Sequence, residues 1–456
     1  MLKSHMIDSE VYKDLYGTDK IRSIFTDQSM VQKWIDFEKA LAKIEAQYGV
    51  IPKEASDEIQ RKGKIEHFNL QEICKDIVFT SHPLVPFIKQ YQNLCEENYG
   101  EYIHYGATTQ DVIDTAFILQ LKEAYEVIVD QTEKFIEVLT ISTRKYSDTI
   151  MAGRTHGQHA LPITLGYKMA CWLAEMKRNY TRLKEIEDRV FIGQFSGAAG
   201  TLASLGPDAM MLREALIKEL DLNVPIITWH TNRDNIAELA NTYSLIAGAI
   251  GKIANEIINL QRTELREIEE GFQDGKIGSS TMPHKRNPMV CEYIVGLSRL
   301  VRMQVPLIHD SLVQEHERDM GLWLVELEVM PEMSIYISKM LYDMTNIIEN
   351  LRVYENQMRE NIDITKGLIL SEKLMFELST FIGKQTAHEV VYKACMRSYE
   401  NNTSLSQEIM LEDQVNKILS KDKVDEILNP MNYLGLCKQF TQNVLDSEEK
   451  YAICKN

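Results

Sequence analysis

The residues best suited to do chemistry lie in one run: Gly278-Ser279-Ser280-Thr281-Met282-Pro283-His284-Lys285-Arg286-Asn287-Pro288. Two adjacent hydroxyls follow a glycine, and a cation and an amide follow them closely. Gly278 opens backbone angles closed to other residues, while Pro283 and Pro288 forbid a continuous helix. The run is expected to be a loop, and a loop so rich in donors suits the handling of an anion.

Three more segments carry chemistry. The first, His104-Tyr105-Gly106-Ala107-Thr108-Thr109-Gln110-Asp111, precedes a stretch free of glycine and proline. Thr108, Thr109 and Asp111 are good helix caps. The same free N–H groups, joined by two hydroxyls, also form a ready carboxylate site. The second is Gly153-Arg154-Thr155-His156-Gly157-Gln158-His159-Ala160-Leu161-Pro162. Its two histidines lack a third ligand at suitable spacing for a metal, and the segment reads as a loop entering a helix. The third, Gln314-Glu315-His316-Glu317-Arg318-Asp319, taken alone reads as a solvated charged patch. Gly197-Ala198-Ala199-Gly200-Thr201-Leu202-Ala203 permits close backbone approach but lacks the spacing of a dinucleotide motif. It is expected to be a tight loop near the site.

The elements that position these segments should be helices. Only eleven prolines and twenty-two glycines punctuate 456 residues. Between Ala107 and Ala152, Phe117, Leu121, Ala124, Ile128, Phe135 and Val138 follow alternating spacings of four and three, with Gln131 filling one gap. That is a bundle seam. A second long helix is expected from about Asn235 to Glu270, and Pro331 to Pro430 is again proline-free. Period-two strand patterns are scarce, so the fold class is all-α. Such helices need a partner along their length, which favours a bundle of several chains.

A formal net charge of −17 argues against nucleic acid or an anionic membrane as partner. A small anionic substrate still fits, because a few local cations dominate a pocket. Seven scattered cysteines suit reduced thiols and a cytoplasmic setting. No apolar run approaches the length of a membrane span.

The Gly278–Pro288 run resembles the signature of the fumarase/aspartase superfamily, Gly-Ser-Ser-x-Met-Pro-x-Lys-x-Asn-Pro, at every specified position. The Thr155-His156-Gly157 segment resembles that superfamily's Thr-His-Gly, and His316-Glu317-Arg318-Asp319 is similar to a segment of its adenylosuccinate lyase branch. The resemblance implies three helical domains, here 1–111, 112–363 and 364–456. It also implies a homotetramer with a twenty-helix core and active sites shared among three subunits. No metal or organic cofactor is implied.

Members cleave a bond beside a succinyl unit, usually releasing fumarate. The hard step removes a proton next to a carboxylate, so stabilising the resulting aci-carboxylate should dominate catalysis. The resemblance makes Ser279 the general base, its pKa lowered by neighbouring N–H groups and Lys285. It makes His156 the general acid and Glu292 the partner that orients a histidine. Lys285, Asn287, Thr108 and Thr109 would hold carboxylates, with Gln158, Ser280, Met282 and Arg318 also against the substrate. His82, in Thr80-Ser81-His82-Pro83, resembles a further histidine of adenylosuccinate lyases.

The nearest named activity is that of adenylosuccinate lyase, but two phosphate partners of that branch are missing. Its N-terminal Arg-Tyr pair reads Leu15-Tyr16, and its His-Ser-Ser-Ala-Glu-Arg continuation reads Leu322-Trp323-Leu324-Val325-Glu326-Leu327. A desolvated phosphate without charge partners is costly. Trp229-His230-Thr231-Asn232-Arg233-Asp234, the glycine-rich loop and Asn432-Tyr433-Leu434-Gly435 are more similar to the 3-carboxy-cis,cis-muconate cycloisomerase branch. The tryptophan usual there near the position of His156 is absent. Asn232 and Tyr16 complete the candidate substrate contacts. A lyase for a smaller, non-nucleotide succinate fits both departures, with its leaving group against Trp323. A crystallin-like structural protein is the remaining alternative, and the intact Ser279, Lys285, Asn287 and His156 argue against it.

Overall fold

The computed structural model describes residues 4–271, 281, 282 and 284–447. They are mainly helical. Five helices of 22 residues or more dominate: Thr109–Lys145, Leu165–Val190, Asp234–Gln261, Met289–Asp310 and Met320–Glu349. The first, with 37 residues, is about 55 Å long at 1.5 Å per residue. All six apolar seam residues on it are buried, so the alternation of four and three does mark its packed face. Its ends suit the helix dipole, with Asp111 in the first turn and Arg144 and Lys145 in the last.

Two expectations are corrected. The Asp234–Gln261 helix stops short of Glu270, because the chain turns through Arg266, at φ 47°, into a short strand, Ile268–Glu269. That strand pairs antiparallel with Arg352–Val353. The segment read as a loop at 153–162 is instead an antiparallel hairpin, Ile150–Thr155 with Gln158–Thr164. Pro331 lies inside Met320–Glu349, as Pro306 lies inside Met289–Asp310.

The chain divides into two compact units. One comprises Met1–Glu133, Asn179–Gly251 and Gly296–Tyr342; the other comprises Lys134–Arg178, Lys252–Val295 and Asp343–Asn456. Each long helix supplies residues to both.

In the first unit, aromatic rings gather behind the Asp27–Gln47 helix. Phe87 stacks on Phe68 at 5.2 Å and meets Trp34 edge-on at 5.5 Å. Tyr91 anchors the group by donating its hydroxyl to the Ile59 carbonyl at 2.7 Å. On the same helix Glu45 is fully buried, and neither carboxylate oxygen has a hydrogen-bond partner. Burial, and secondarily the Glu38 carboxylate, push its pKa up to about 9. Glu45 is thus held as a neutral acid at neutral pH.

In the second unit, Ile150 and Ala152 of the hairpin pack with Ile362, Ile369 and Leu370. The helices Ser371–Ile382 and Lys384–Asn401 build a separate core around Leu374, Leu378, Val391 and Ala394. Among the described residues no helix is long and apolar enough to cross a membrane.

Candidate active site

In the first unit the site is built at the start of the Thr109–Lys145 helix. The approach is anchored by Glu38, which accepts from the His104 N–H at 2.9 Å and from His104 Nδ1 at 2.7 Å. Burial opposes a charge on His104, but the attraction and hydrogen bond of Glu38 outweigh it and raise the imidazole pKa. His104 and Gly106 both take left-handed backbone angles, φ 64° and 70°, and this folds the chain into the helix.

Asp111, fully buried, organises the helix start. It accepts from the N–H groups of Thr108 at 3.0 Å, Ser196 at 3.0 Å and Gly197 at 2.9 Å, and from His230 Nε2 at 2.9 Å. One carboxylate therefore joins the helix start, the glycine-rich loop and the Trp229–Asp234 segment. Arg318 closes the arrangement. Its guanidinium donates to Thr108 Oγ1 at 2.9 Å and to the Ala198 carbonyl at 2.8 Å, on an exposed residue. Thr108 and Arg318, 210 residues apart, are thus in direct contact. Thr109, the first helical residue, is half-buried beside them in sequence.

One turn further along lies a buried charge cluster. Arg233, 1% exposed, donates to Asp114 at 2.9 and 3.0 Å and to Glu326 at distances from 2.5 to 3.1 Å. Its guanidinium sits 4.6 Å from the Trp229 ring centroid. Trp323 donates its indole N–H to Asp114 at 2.8 Å and is 3% exposed. This corrects the expectation that a leaving group would rest on Trp323: the ring belongs to the core, held there by a carboxylate. Glu326 likewise faces Arg233 rather than solvent.

Three further candidates of this unit sit on other elements. His82 caps the Val85–Leu94 helix, its Nδ1 accepting from the Leu84 and Val85 N–H groups at 3.3 and 3.1 Å. Asn232 is exposed in the turn after Trp229. Tyr16 lies in a short helix, its ring 6.3 Å from that of Tyr336. None of the three hydrogen-bonds Thr108 or Arg318 among the described residues.

In the second unit His156 and Gly157 form the tip of the hairpin, with φ 53° and 75°. Two consecutive left-handed residues make the tight turn whose twist matches its strands. His156 and Gln158 are exposed there. Below the tip, Arg154 holds the buried Glu267 with two bonds of 2.9 and 2.6 Å, and Asn361 adds a third at 2.8 Å. Burial first, then the nearby Arg154, lower the pKa of His159, which keeps that ring neutral.

Gly278, Ser279, Ser280 and Pro283 of the signature run lie outside the described residues. On its far side, Met282 accepts from the Lys285 N–H at 3.0 Å. Met282 and Lys285 are exposed and Asn287 is half-buried. Glu292 is exposed in the first turn of the Met289–Asp310 helix. Both flanks of the run are tethered. Glu270 caps that helix through the Val290 and Cys291 N–H groups at 3.3 and 3.1 Å. Arg286 donates to Glu269 at 3.1 Å, and its carbonyl accepts from Gln261 at 3.1 Å.

Reading the sequence segment by segment missed the joining role of Asp111, visible there only as a cap. It also missed Glu267 and the pairing of Arg233 with Asp114 and Glu326. The two-residue turn at His156-Gly157, flanked by Thr155 and Gln158, was the one local signal of the hairpin.

Comparison with known proteins agrees with this architecture. The profile of the family described as Lyase matches residues 16–303, and that described as Adenylosuccinate lyase C-terminus matches 367–444. The N-acetyl-S-(2-succino)cysteine lyase of Dickeya dadantii (strain 3937) is 42% identical, over 97% of this chain and 98% of its own. The adenylosuccinate lyase of Methanocaldococcus jannaschii is 36% identical, over 94% of each. Among solved structures, the 3-carboxy-cis,cis-muconate lactonizing enzyme of Pseudomonas putida superposes with a TM-score of 0.92 at 33% identity, covering 97% of this chain and all of that one. The chain belongs to the fumarase/aspartase superfamily of lyases, in its adenylosuccinate lyase-like family.

Proposed function

We propose that this chain is a fumarate-forming lyase that cleaves the C–S bond between a succinyl unit and a small thiol, of the N-acylated S-(2-succinyl)cysteine type. The observation that carries the reading is the 42% identity, over nearly the full length, to a relative named for that reaction, against 36% to an adenylosuccinate lyase. The site supports it. Leu15 stands where the nucleotide branch has a cation, and Trp323 and Glu326 are committed to Asp114 and Arg233, leaving that segment without a phosphate partner.

Ser279 takes a proton from the succinyl carbon next to the one bearing sulfur. The electron pair enters the adjacent carboxylate, then forms the C=C bond as the C–S pair leaves on sulfur. Lys285 and Asn287, with Thr108, Thr109 and Arg318, hold the carboxylates. His156, at an exposed hairpin tip, protonates the departing group, and Glu292 orients a histidine. Ser280, Met282, Gln158, Asn232, Tyr16 and His82 complete the substrate surroundings. The division at Asp111 and Asp363 separates the domains of this reading.

The working form is a homotetramer whose sites draw on three subunits. Leu300, Met303 and Leu307 support it, lying 45%, 71% and 51% exposed along one face of the Met289–Asp310 helix, an apolar stripe that suits a partner helix.

The test is a substrate panel followed by fumarate absorbance and free-thiol titration: N-acetyl-S-(2-succinyl)cysteine, adenylosuccinate, argininosuccinate, aspartate and 3-carboxy-cis,cis-muconate. Turnover should be fastest with the thioether. Faster turnover of adenylosuccinate, which the match at 367–444 favours, would replace this reading with the nucleotide one.

A further inference from the structure

We infer that His230 and Asp111 act as a positioning pair for the carboxylate-holding start of the Thr109–Lys145 helix, with the Nε2–H of His230 as the required donor. The inference rests on the proposed function, in which Thr108 and Arg318 hold a substrate carboxylate.

The Asp111 carboxylate uses both oxygens: Oδ1 accepts from Ser196 and His230, and Oδ2 accepts from Thr108 and Gly197. Both anchors of Arg318 depend on it. One is the hydroxyl of Thr108, whose own N–H is bonded to Asp111; the other is the carbonyl of Ala198, the residue after Gly197. A rotation of the carboxylate would therefore move the hydroxyl, the loop and the guanidinium together.

The histidine resists that rotation. Its ring is 2% exposed, and Nε2 lies 2.9 Å from Oδ1. Its backbone carbonyl accepts from Gln110 Nε2 at 2.9 Å, so the segment is tied to two successive residues of the helix start. The preceding residue is pinned as well, since Trp229 donates its ring N–H to the Gly193 carbonyl at 3.0 Å. Nδ1 of His230 is buried and has no protein hydrogen bond. All the polar work of the ring therefore passes through Nε2, which must carry the proton because a carboxylate only accepts.

That asymmetry gives a sharp test. Glutamine places its amide nitrogen near the position of Nε2, and asparagine places its amide near Nδ1. His230→Gln, His230→Asn and His230→Leu should be compared for KM and kcat on the thioether and for inhibition by succinate, with circular dichroism and melting as checks of fold. His230→Gln should stay within about threefold of wild type. His230→Asn and His230→Leu should raise KM and the succinate inhibition constant roughly tenfold to a hundredfold, the scale of a small misplacement of binding groups, while kcat changes far less. If those two variants fail to fold, Gln110→Met decides; removing its bonds to the His230 carbonyl and to Asp114 should raise KM in the same direction by a smaller factor. Folded His230→Asn with the KM of wild type, equal losses in Gln and Asn, or a folded Gln110→Met with unchanged KM would overturn the pair while leaving the lyase reading intact. A wild-type protein that neither turns over a succinyl donor nor binds succinate would remove both.

Discussion

Replacing Glu45 with glutamine should make the protein more stable at neutral pH and leave it nearly unchanged in mild acid. The side chain has no exposed surface, and both its oxygens lack hydrogen-bond partners. Its carboxyl titrates at about 9 in the fold against a reference of 4.5. Above 4.5 the unfolded chain gives up its proton while the folded chain keeps it, so stability falls as pH rises, until the folded group itself ionises near 9. Each unit costs about 1.4 kcal/mol, so the penalty is about 3 kcal/mol at pH 7 and less than about 1 kcal/mol at pH 5. Glutamine keeps the shape and cannot titrate. Urea unfolding of wild type and Glu45→Gln at pH 5, 7 and 8.5 should show a stability gap that opens with pH in favour of the variant. A gap independent of pH, or a variant less stable throughout, would refute the assignment of Glu45 as a buried neutral acid.

Arg233→Met should cost about 3–5 kcal/mol, because it leaves Asp114 and Glu326 buried without their cation. Urea unfolding at neutral pH should show that loss, and a variant as stable as wild type would count against the pairing. His156→Gln should slow adenylosuccinate or argininosuccinate cleavage more than thioether cleavage, since a thiol of pKa about 8.5 leaves without much help from an acid. Equal losses across the series would remove His156 from the role of acid. Mixing Ser279→Ala and His156→Ala proteins under subunit exchange should restore part of the activity that each lacks, if one site draws on several chains; mixtures as inactive as their parents would count against shared sites.

The helical architecture was legible because its signals are periodic. The seam from Phe117 to Val138 repeats over many turns, and each of its apolar members is buried. The hairpin at 150–164 was not legible, because its burial does not alternate: Ile150, Met151 and Ala152 are all buried, and exposure grows only toward the tip. The end of the Asp234–Gln261 helix was hidden for a related reason, since a helical pattern does not announce the turn that runs from Arg262 to the left-handed Arg266. At the site, the motifs named the residue types but not their partners. Asp111 reads as a cap from its neighbours alone. Its bonds to Ser196 and His230 join positions 85 and 119 residues away, a distance over which spacing carries no information. Trp323 shows the opposite failure: an aromatic side chain in a substrate-reading segment proved to be core, because the buried Asp114 accepts its indole N–H.

The central claim is that this chain eliminates fumarate from a succinylated thiol with Ser279 as base. Proton NMR of N-acetyl-S-(2-succinyl)cysteine with the wild-type protein should show the vinyl signal of fumarate rising in step with free thiol. The Ser279→Ala protein, with unchanged circular dichroism, should slow this by orders of magnitude. Intact thioether after prolonged incubation with wild type, or near-normal fumarate production by Ser279→Ala, would contradict the account.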